Sequence, residues 1–252
     1  PSLAQNAPIV ASVKAVVRQP GRMKRSEING AIDDARTFFA DRGYPLPRYA
    51  GWSPQEWAAA KRDCAEIRDL ALGWDGTDFG SGDFANVGRT IFTLRNGRHG
   101  DPRYPKAYAH KVMHMPEGQR SAIHHHCSKM EDICNQGPGN VMIRLWCLDK
   151  DGARADAPLT LSLSGRSLSQ PAGQPLRIEP GESLCLPPLT WHQFWAEECE
   201  GDVLSTEVST VCDDHNDNVF LEGGERFPVI TEDEPARYVL CSDYGSRRQE
   251  DD

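Results

Sequence analysis

No run of about 18 consecutive apolar residues, the length that a transmembrane helix requires, occurs in the chain. An excess of basic residues is also missing, because 28 lysines and arginines stand against 37 acidic residues and the net charge is −9. Proteins that bind nucleic acids usually present a basic face. We therefore expect neither a membrane nor a nucleic acid as a partner of this protein.

Paired cysteines are absent as well. The eight cysteines are scattered and none forms a Cys-x-x-Cys pair, and a chain of this length does not need disulfides to stabilise its core. The first residues lack the charged start and long apolar stretch of a signal peptide. We therefore expect reduced thiols in a cytoplasmic protein. Cys127 adjoins three histidines, but alternation along a strand predicts that its side chain faces outward.

Two stretches in the first third of the chain follow the pattern of amphipathic helices. Residues 24–43 carry apolar side chains at helical spacing between Ser26, a good N-cap residue, and a terminating glycine. In residues 51–74, Ser53 is followed by a proline and by Glu56, which together form a capping box. These features predict two helices, preceded by an arm over the first 20 residues.

Beyond residue 80 the pattern changes to short runs of β-branched and aromatic residues separated by turns rich in glycine, proline and aspartate. Such spacing is typical of a β-sandwich or β-barrel. The candidate strands are residues 89–94, 107–115, 121–126, 140–148, 159–163, 176–178, 183–187, 192–197, 203–211 and 237–241. We expect an N-terminal arm and helical cap (1–80) packed on a β-barrel domain (81–252) as one structural unit.

The histidines are concentrated in one short segment. Five of the eight lie within residues 110–126, and three of them are consecutive. In a strand, His124 and His126 point to one face while the histidine between them points to the other. Glu131 follows shortly after, and His192 opens an aromatic strand behind a proline-rich turn. Three imidazoles and one carboxylate suit Mn²⁺, Fe²⁺, Co²⁺ or Zn²⁺; the alternative is a polar surface strand.

The spacing of these residues resembles the two motifs of the cupin superfamily, small jelly-roll β-barrels that hold a metal in their mouth. The chain departs from these motifs at turn positions, where Leu189 and Ala196 replace a glycine and an asparagine and Pro138 stands at the place of a glycine. The matching residues are Gly118, His124, His126, Glu131, Gly181, Pro187 and His192. The resemblance implies a metal held by the three histidines and the glutamate.

A closer resemblance is to the D-lyxose ketol-isomerase family. The similar stretches are AHKVMHMPEGQRSAIHHHCSKMEDICNQGPGN, IEPGESLCLPPLTWHQFWAE, EVSTVCDDHNDNVFLEGGERFP and ITEDEPARYVLC, which cover most of residues 105–241. Positions that match the family are Lys111, Glu117, Gly118, Gln119, Lys129, Glu131 and Asp132. The chain differs at residues 134–137, which are Cys-Asn-Gln-Gly where the family has Asn-Arg-Gly-Gly.

This resemblance implies an enzyme that interconverts D-lyxose with D-xylulose and also D-mannose with D-fructose, by proton transfer through a metal-stabilised enediolate. Its substrate would be a monosaccharide, and its cofactor a divalent metal, with Mn²⁺ expected and Co²⁺, Fe²⁺ and Zn²⁺ as alternatives. We also expect a homodimer, formed through strands of the barrel and the N-terminal arm.

The reaction requires a base that moves a proton between C2 and C1 and cations that stabilise the oxygens. Lys111 and Lys129 are the candidate cations. The candidate bases are Glu207 within an apolar strand and three acids in a polar loop that can close over the mouth, Asp217, Glu222 and Glu225. For each of these residues the alternative is an ordinary solvated charge, or, for Lys111, a lysine whose ammonium reaches solvent past an apolar face.

Other cupin functions remain as rivals, because a fold does not determine a function. A cupin dioxygenase can use the same three histidines and one glutamate to bind iron, but it would favour a more apolar pocket than these lysines and carboxylates indicate. A sugar-sensing regulator normally carries a DNA-binding element, which neither helix nor charge supports. A storage cupin commonly has two barrels, for which the chain is too short.

Overall fold

The structure is a computed structural model that describes residues 22–60 and 64–244, so the predicted arm over the first 20 residues lies outside the described residues. The helices are α1 (Arg25–Asp41), α2 (Pro54–Ala59) and α3 (Ala65–Asp69). None of the helices in these ranges has the length and apolar character needed to cross a lipid bilayer. The strands, in chain order, are β1 (Arg22–Lys24), β2 (Gly73–Thr77), β3 (Arg89–Arg95), β4 (Tyr108–Met115), β5 (His124–His126), β6 (Glu131–Pro138), β7 (Val141–Leu148), β8 (Arg154–Ala155), β9 (Leu159–Leu163), β10 (Arg166–Gln170), β11 (Leu176–Ile178), β12 (Ser183–Leu186), β13 (Thr190–Ala196), β14 (Val203–Thr210), β15 (Asn218–Phe220) and β16 (Val229–Thr231).

Two curled sheets form the body of the protein. The larger has eight strands in the order β10-β9-β12-β6-β14-β4-β3-β2, and the smaller runs β11-β7-β13-β5-β15 with β8 beside β7. Apolar side chains from both sheets form one buried cluster, to which the larger sheet contributes Ile133 and Leu184 and the smaller Ile143 and Leu145. The predicted mainly-β architecture with N-terminal helices is therefore confirmed.

Helix α1 covers the outer face of the larger sheet. Ile28 and Ile32 belong to a second buried cluster that includes Phe92 of β3 and Leu204 of β14. The predicted N-cap was wrong: the helix begins after Lys24, whose backbone N–H donates to Glu27 Oε2 at 2.8 Å.

The serine that was expected to cap α1 lies inside the helix and has a different partner. The hydroxyl of Ser26 donates to Asp233 Oδ2 at 2.6 Å, which ties α1 to the C-terminal part of the chain. Asp233 is distant in sequence but close in space, and it accepts the hydrogen bond of the hydroxyl that was expected to cap the helix. The predicted end of the helix was close, because Gly43 adopts φ +64° two residues after α1.

The second predicted helix is correct only at its start. Ser53 caps α2, donating its N–H to Glu56 Oε2 at 2.7 Å and accepting the N–H of Glu56 at 3.3 Å. A continuous helix over residues 51–74 was wrong, because α2 ends at Ala59 and Trp74 lies in β2. The buried indole of Trp74 donates to the carbonyl of Ala50 at 2.7 Å. This contact joins residues that are distant in sequence, so local helix propensity does not predict it.

Strand β2 lies before the expected boundary at residue 80, yet it pairs with β3 along its whole length at the edge of the larger sheet. The segment expected to be a helical cap thus also supplies a strand to the barrel. Nine of the ten predicted strand segments contain a strand; the tenth, residues 237–241, was wrong, since only Leu240 forms a bridge, to Trp74.

Candidate active site

The three candidate histidine ligands lie on adjacent antiparallel strands of the smaller sheet. His192 of β13 is the register partner of His124 of β5, and alternation places His126 on the same face. One ring nitrogen from each of the three lies within 4.8 Å of the others, and all three side chains are buried. The sequence prediction that a distant histidine joins the pair is therefore supported by the geometry.

Backbone carbonyls fix the orientation of two of these rings. The Nδ1–H of His124 donates to the carbonyl of Ala122 at 2.9 Å, and that of His192 to the carbonyl of Thr190 at 2.8 Å. This tautomer leaves the lone pair of Nε2 free, as a metal ligand requires. Burial lowers the pKa of His192 to about 4 and holds that of His124 well below its usual range, so both rings are neutral at pH 7.

Glu131 opens β6 in the larger sheet and faces the histidines across the barrel. Its Oε1 lies 3.3 Å from Nε2 of His126 and 3.3 Å from Nε2 of His192, while its Oε2 is 2.7 Å from the ammonium of Lys129. Burial opposes ionisation, but Lys129 together with His126 and His192 outweighs it, and the pKa of Glu131 stays well below its usual range.

These four residues fit a divalent metal. Within the described part of the chain, Oε1 of Glu131 and Nε2 of His192 are buried and have no hydrogen-bond partner, although buried polar atoms are normally paired. The atoms that converge are lone-pair donors to a cation: neutral imidazole nitrogens and a carboxylate oxygen.

The residues next to the histidines point away from this site. The ring of His125 packs against Trp191 with its centroid 4.4 Å from that of the indole. Cys127 is exposed, as alternation along the strand predicted.

The two predicted lysines and one predicted base occupy the same cavity. The ammonium of Lys129 lies 2.9 Å from Oε1 of Glu207, and that of Lys111 lies 3.8 Å from the same oxygen. All three side chains are buried, so the alternative of solvated charges is wrong for them. Glu207 and Lys111 are register partners on β14 and β4. Burial opposes protonation of both lysines, but nearby carboxylates outweigh it and raise their pKa values.

The three other candidate bases do not line this cavity. Asp217 is buried, but its carboxylate accepts hydrogen bonds from the N–H and the hydroxyl of Ser128, both at 2.7 Å, and from the N–H of Lys129 at 3.0 Å. It therefore holds the turn that presents Lys129. Glu222 and Glu225 are exposed on the loop after β15, so the structure does not bring them together with the lysines.

Asp214 and Arg226 also line the cavity. Asp214 lies 3.5 Å from the ammonium of Lys111 and 3.1 Å from Nε of Arg226, a residue of the predicted closing loop. Nη2 of Arg226 also lies 2.5 Å from the buried carboxylate of Asp75 in β2. Position after a strand and an acidic neighbourhood were the only signals for Asp214, because its partners come from distant segments.

The cavity combines these charges with apolar walls formed by Phe79, Ile91, Phe194 and Phe220. Comparison with known proteins agrees with this chemistry. The family model described as D-lyxose isomerase matches residues 23–244. The chain belongs to the D-lyxose isomerase family.

Curated relatives in this family are similar over nearly their full length. The D-lyxose/D-mannose isomerase of Escherichia coli O157:H7 is 46% identical over 225 residues, covering 88% of this chain and 98% of that protein. The D-lyxose/D-mannose isomerase of Serratia proteamaculans is 46% identical over 223 residues, with the same coverage of both chains. The chain is a sugar isomerase, as the sequence predicted, and a monosaccharide is its substrate.

Solved structures share the fold of this D-lyxose isomerase family member. The L-ribose isomerase of Cellulomonas parahominis with L-ribose has a TM-score of 0.56 at 14% identity, covering 84% of this chain and 100% of that chain. The L-ribose isomerase of Acinetobacter sp. DL28 in complex with L-ribose has a TM-score of 0.53 at 15% identity, with the same coverage. The predicted cupin-type fold is confirmed.

Proposed function

We propose that this isomerase interconverts D-lyxose with D-xylulose and D-mannose with D-fructose, using a divalent metal, for which Mn²⁺ is our first choice. The two aldoses share their configuration at C2 and C3, and the relatives at 46% identity are named for both. The observation that carries the proposal is a carboxylate, Glu207, held between two lysines in the cavity that also contains the three histidines and Glu131.

His124, His126, His192 and Glu131 would hold the metal, since they offer neutral imidazole nitrogens and a carboxylate oxygen at one buried point. A divalent cation bound there supplies polarisation of the sugar carbonyl and stabilises the negative charge of the enediolate. Co²⁺, Fe²⁺ and Zn²⁺ suit the same donor atoms, so the preferred ion is decided by reconstitution.

Glu207 is the base in this proposal. As a carboxylate it takes the proton from C2 of the aldose and returns it to C1, which yields the ketose. Glu207 is preferred to Asp217, Glu222 and Glu225, because it alone of the four lines the cavity.

The lysines hold the oxygens and the base. Lys129 lies between Glu131 and Glu207, 2.7 Å and 2.9 Å from their nearest oxygens, and so keeps the base at a fixed distance from the ligand carboxylate. Lys111 donates to the sugar oxygens from the β4 side, with Asp214 and Glu207 as its counter-charges. Both ammonium groups favour oxygens on which negative charge develops.

The test follows the ketose formed from D-lyxose and, in parallel, from D-mannose by chelator-treated enzyme, with and without added Mn²⁺. Ketose formation restored by metal supports the proposal and ranks the sugars. The reaction is repeated in D₂O, since a base that exchanges with solvent introduces deuterium at C1 of the ketose. A protein that contains metal by elemental analysis and converts neither sugar contradicts the proposal and favours oxygen chemistry at the same ligands.

We further propose a homodimer and a cytoplasmic location. The outer face of β4 and β14 exposes Tyr108 and Val208 by 45% and 44%, with Met130 close by at 46%, and an exposed apolar patch on central strands suits an interface between two copies. All eight cysteines are free thiols, as a reducing compartment favours. Light scattering after size exclusion tests the first proposal, and cell fractionation tests the second.

A further inference from the structure

The cavity contains a buried arginine, Arg89, that has no role in the proposed reaction. Arg89, the first residue of β3, lines the cavity and is 1% exposed. Its Nη2 donates to the carbonyl of Phe194 at 3.0 Å, and its Cζ lies 4.6 Å from the centroid of the Phe194 ring. Nε and Nη1 are buried and have no hydrogen-bond partner among the residues that the structure describes. Two donors of a buried guanidinium therefore lack an acceptor.

The other cations of the cavity differ from Arg89 in having counter-charges. Lys129 contacts Glu131 and Glu207, Lys111 lies close to Asp214, and Arg226 lies between two carboxylates. Within residues 22–60 and 64–244, by contrast, no carboxylate lies within ion-pair distance of Arg89, and its hydrogen-bond partner is a neutral carbonyl. The positive charge of Arg89 is the one in this cavity that the described residues leave uncompensated.

This charge persists at neutral pH. Burial lowers the pKa of Arg89 to about 9, which still leaves the guanidinium protonated at pH 7. A buried charge without a partner is unfavourable, and a planar guanidinium matches the two oxygens of a carboxylate better than any other common group. The missing partner is therefore an anion with paired oxygens.

Arg89 lies at the end of the cavity away from the proposed reaction centre. On the inner face of β3 and β4, Thr93 pairs with Lys111 and Ile91 with Met113, and Arg89 is two residues further along. The Phe194 ring lies beside both groups, with its centroid 4.6 Å from Cζ of Arg89 and 6.4 Å from the centroid of the His192 ring. An open-chain sugar whose C1 and C2 lie near Lys111 would extend its other end toward the guanidinium.

We propose that Arg89 binds the terminal carboxylate of a sugar acid, so that hexuronates configured like D-mannose at C2 and C3 are further substrates of the pocket. The substrate assignment rests on the proposed isomerase function, whereas the binding site does not. The reaction is the same proton transfer from C2 to C1, with the second proton moving between O1 and O2. The C6 carboxylate is unchanged, and neither an oxidant nor a reductant is required.

The experiment compares D-mannuronate with D-mannose, which differ only at C6. Titration calorimetry on the full-length, Mn²⁺-loaded protein is expected to give binding of D-mannuronate tighter by about tenfold or more, the gain typical of a charge-assisted pair in a dry site. In Arg89→Met this preference disappears, so that the two sugars bind with similar affinity. Any contact between the sugar acid and the metal is the same in the wild type and in Arg89→Met, so it does not affect the difference between the two proteins.

Arg89→Lys is the second variant, because it keeps the charge and loses the paired geometry, and it is expected to retain part of the preference. It also serves if Arg89→Met fails to fold. Equal affinity of the wild type for both sugars, or an undiminished preference in Arg89→Met or Arg89→Lys, would overturn the proposal.

A sodium chloride titration tests whether the partner of Arg89 is an inorganic anion instead of a sugar acid. If chloride raises the melting temperature of the wild type but not of Arg89→Met and abolishes the preference for D-mannuronate, the site holds an inorganic ion and the sugar-acid assignment is wrong. Failure of the proposed function would look different, since D-mannuronate would bind through Arg89 while neither D-lyxose nor D-mannuronate was converted.

Discussion

At the scale of single residues, the orientation of each imidazole decides its role. Substituting His126 with Ala removes one of three converging ring nitrogens, so we expect loss of bound metal and loss of activity together. Elemental analysis after dialysis, alongside the D-lyxose assay, measures both.

The neighbouring histidine provides the matched control for that substitution. His125 lies one residue away and faces Trp191, so His125→Gln should keep its metal. Activity that survives in a metal-free His126→Ala protein would show that the three histidines have another purpose.

Replacing Glu207 with Gln keeps the shape of the side chain and removes its basicity. General-base catalysis typically contributes a factor of about 10² to 10⁴, and we expect kcat to fall by that order while the metal content is unchanged. Steady-state kinetics with D-lyxose measures the effect. Glu225→Gln, on an exposed residue of the closing loop, is the control and should behave like the wild type; the reverse pattern would assign the base to the loop.

At the scale of elements, the turn between β5 and β6 depends on one carboxylate. Asp217 accepts hydrogen bonds from two backbone N–H groups and one hydroxyl in this turn. We expect Asp217→Asn to lower the free energy of unfolding by about 1–3 kcal/mol, the usual effect of losing charge-assisted hydrogen bonds in a buried setting. Activity should fall too, since Lys129 loses its support. Urea unfolding measures the first effect, with Glu222→Gln as the exposed control; equal stability of the two variants would rule out this role for Asp217.

The same elements show what local sequence can and cannot predict. The start of α2 was predictable because Ser53 and Glu56 cap each other within one turn. Strand β6 was not predicted, because its composition is polar. Its inner face includes Asn135, whose amide donates to the carbonyls of Gly139 and Ile178 at 2.9 and 2.8 Å. A polar side chain can be buried in a strand when its partners arrive from elsewhere in the chain.

The candidate site also contains residues that the sequence could predict and residues that it could not. The shared face of His124 and His126 follows from strand periodicity and could be predicted. Glu131 and His192 were predicted from their positions in the sequence, and the resemblance to a known family implied the same four ligands. Asp214 and Arg89 could not be predicted, because the role of each depends on which side chains of other strands it meets or fails to meet. Charge alone did not separate Glu207, which is buried, from Glu222, which is exposed.

At the scale of the whole molecule, buried neutral histidines make stability depend on pH. His114 packs against Phe38 with ring centroids 4.5 Å apart, and its Nε2 lies 2.8 Å from Oδ2 of Asp202. Burial lowers the pKa of His114 below 6.5 despite the neighbouring carboxylate. The unfolded chain therefore binds the proton more readily, and the free energy of unfolding falls as the pH drops below about 6.5.

We expect His114→Gln to lose less stability than the wild type between pH 7.5 and pH 5.5, because one of the groups that take up a proton on unfolding is absent. Urea unfolding of both chelator-treated proteins at the two pH values measures this difference. Parallel losses in the two proteins would mean that His114 is protonated equally in the folded and unfolded chains.

The proposed metal ligands belong to different sheets: the histidines to β5 and β13, and Glu131 to β6. A metal bound between the two sheets links the metal affinity to the stability of the packing between those sheets, and such linkage is reciprocal. A cavity made in the buried cluster, as by Leu184→Ala, should then release the ion more readily although no ligand has changed. Natural or engineered substitutions in the core of this enzyme would therefore first raise the metal concentration that the enzyme requires.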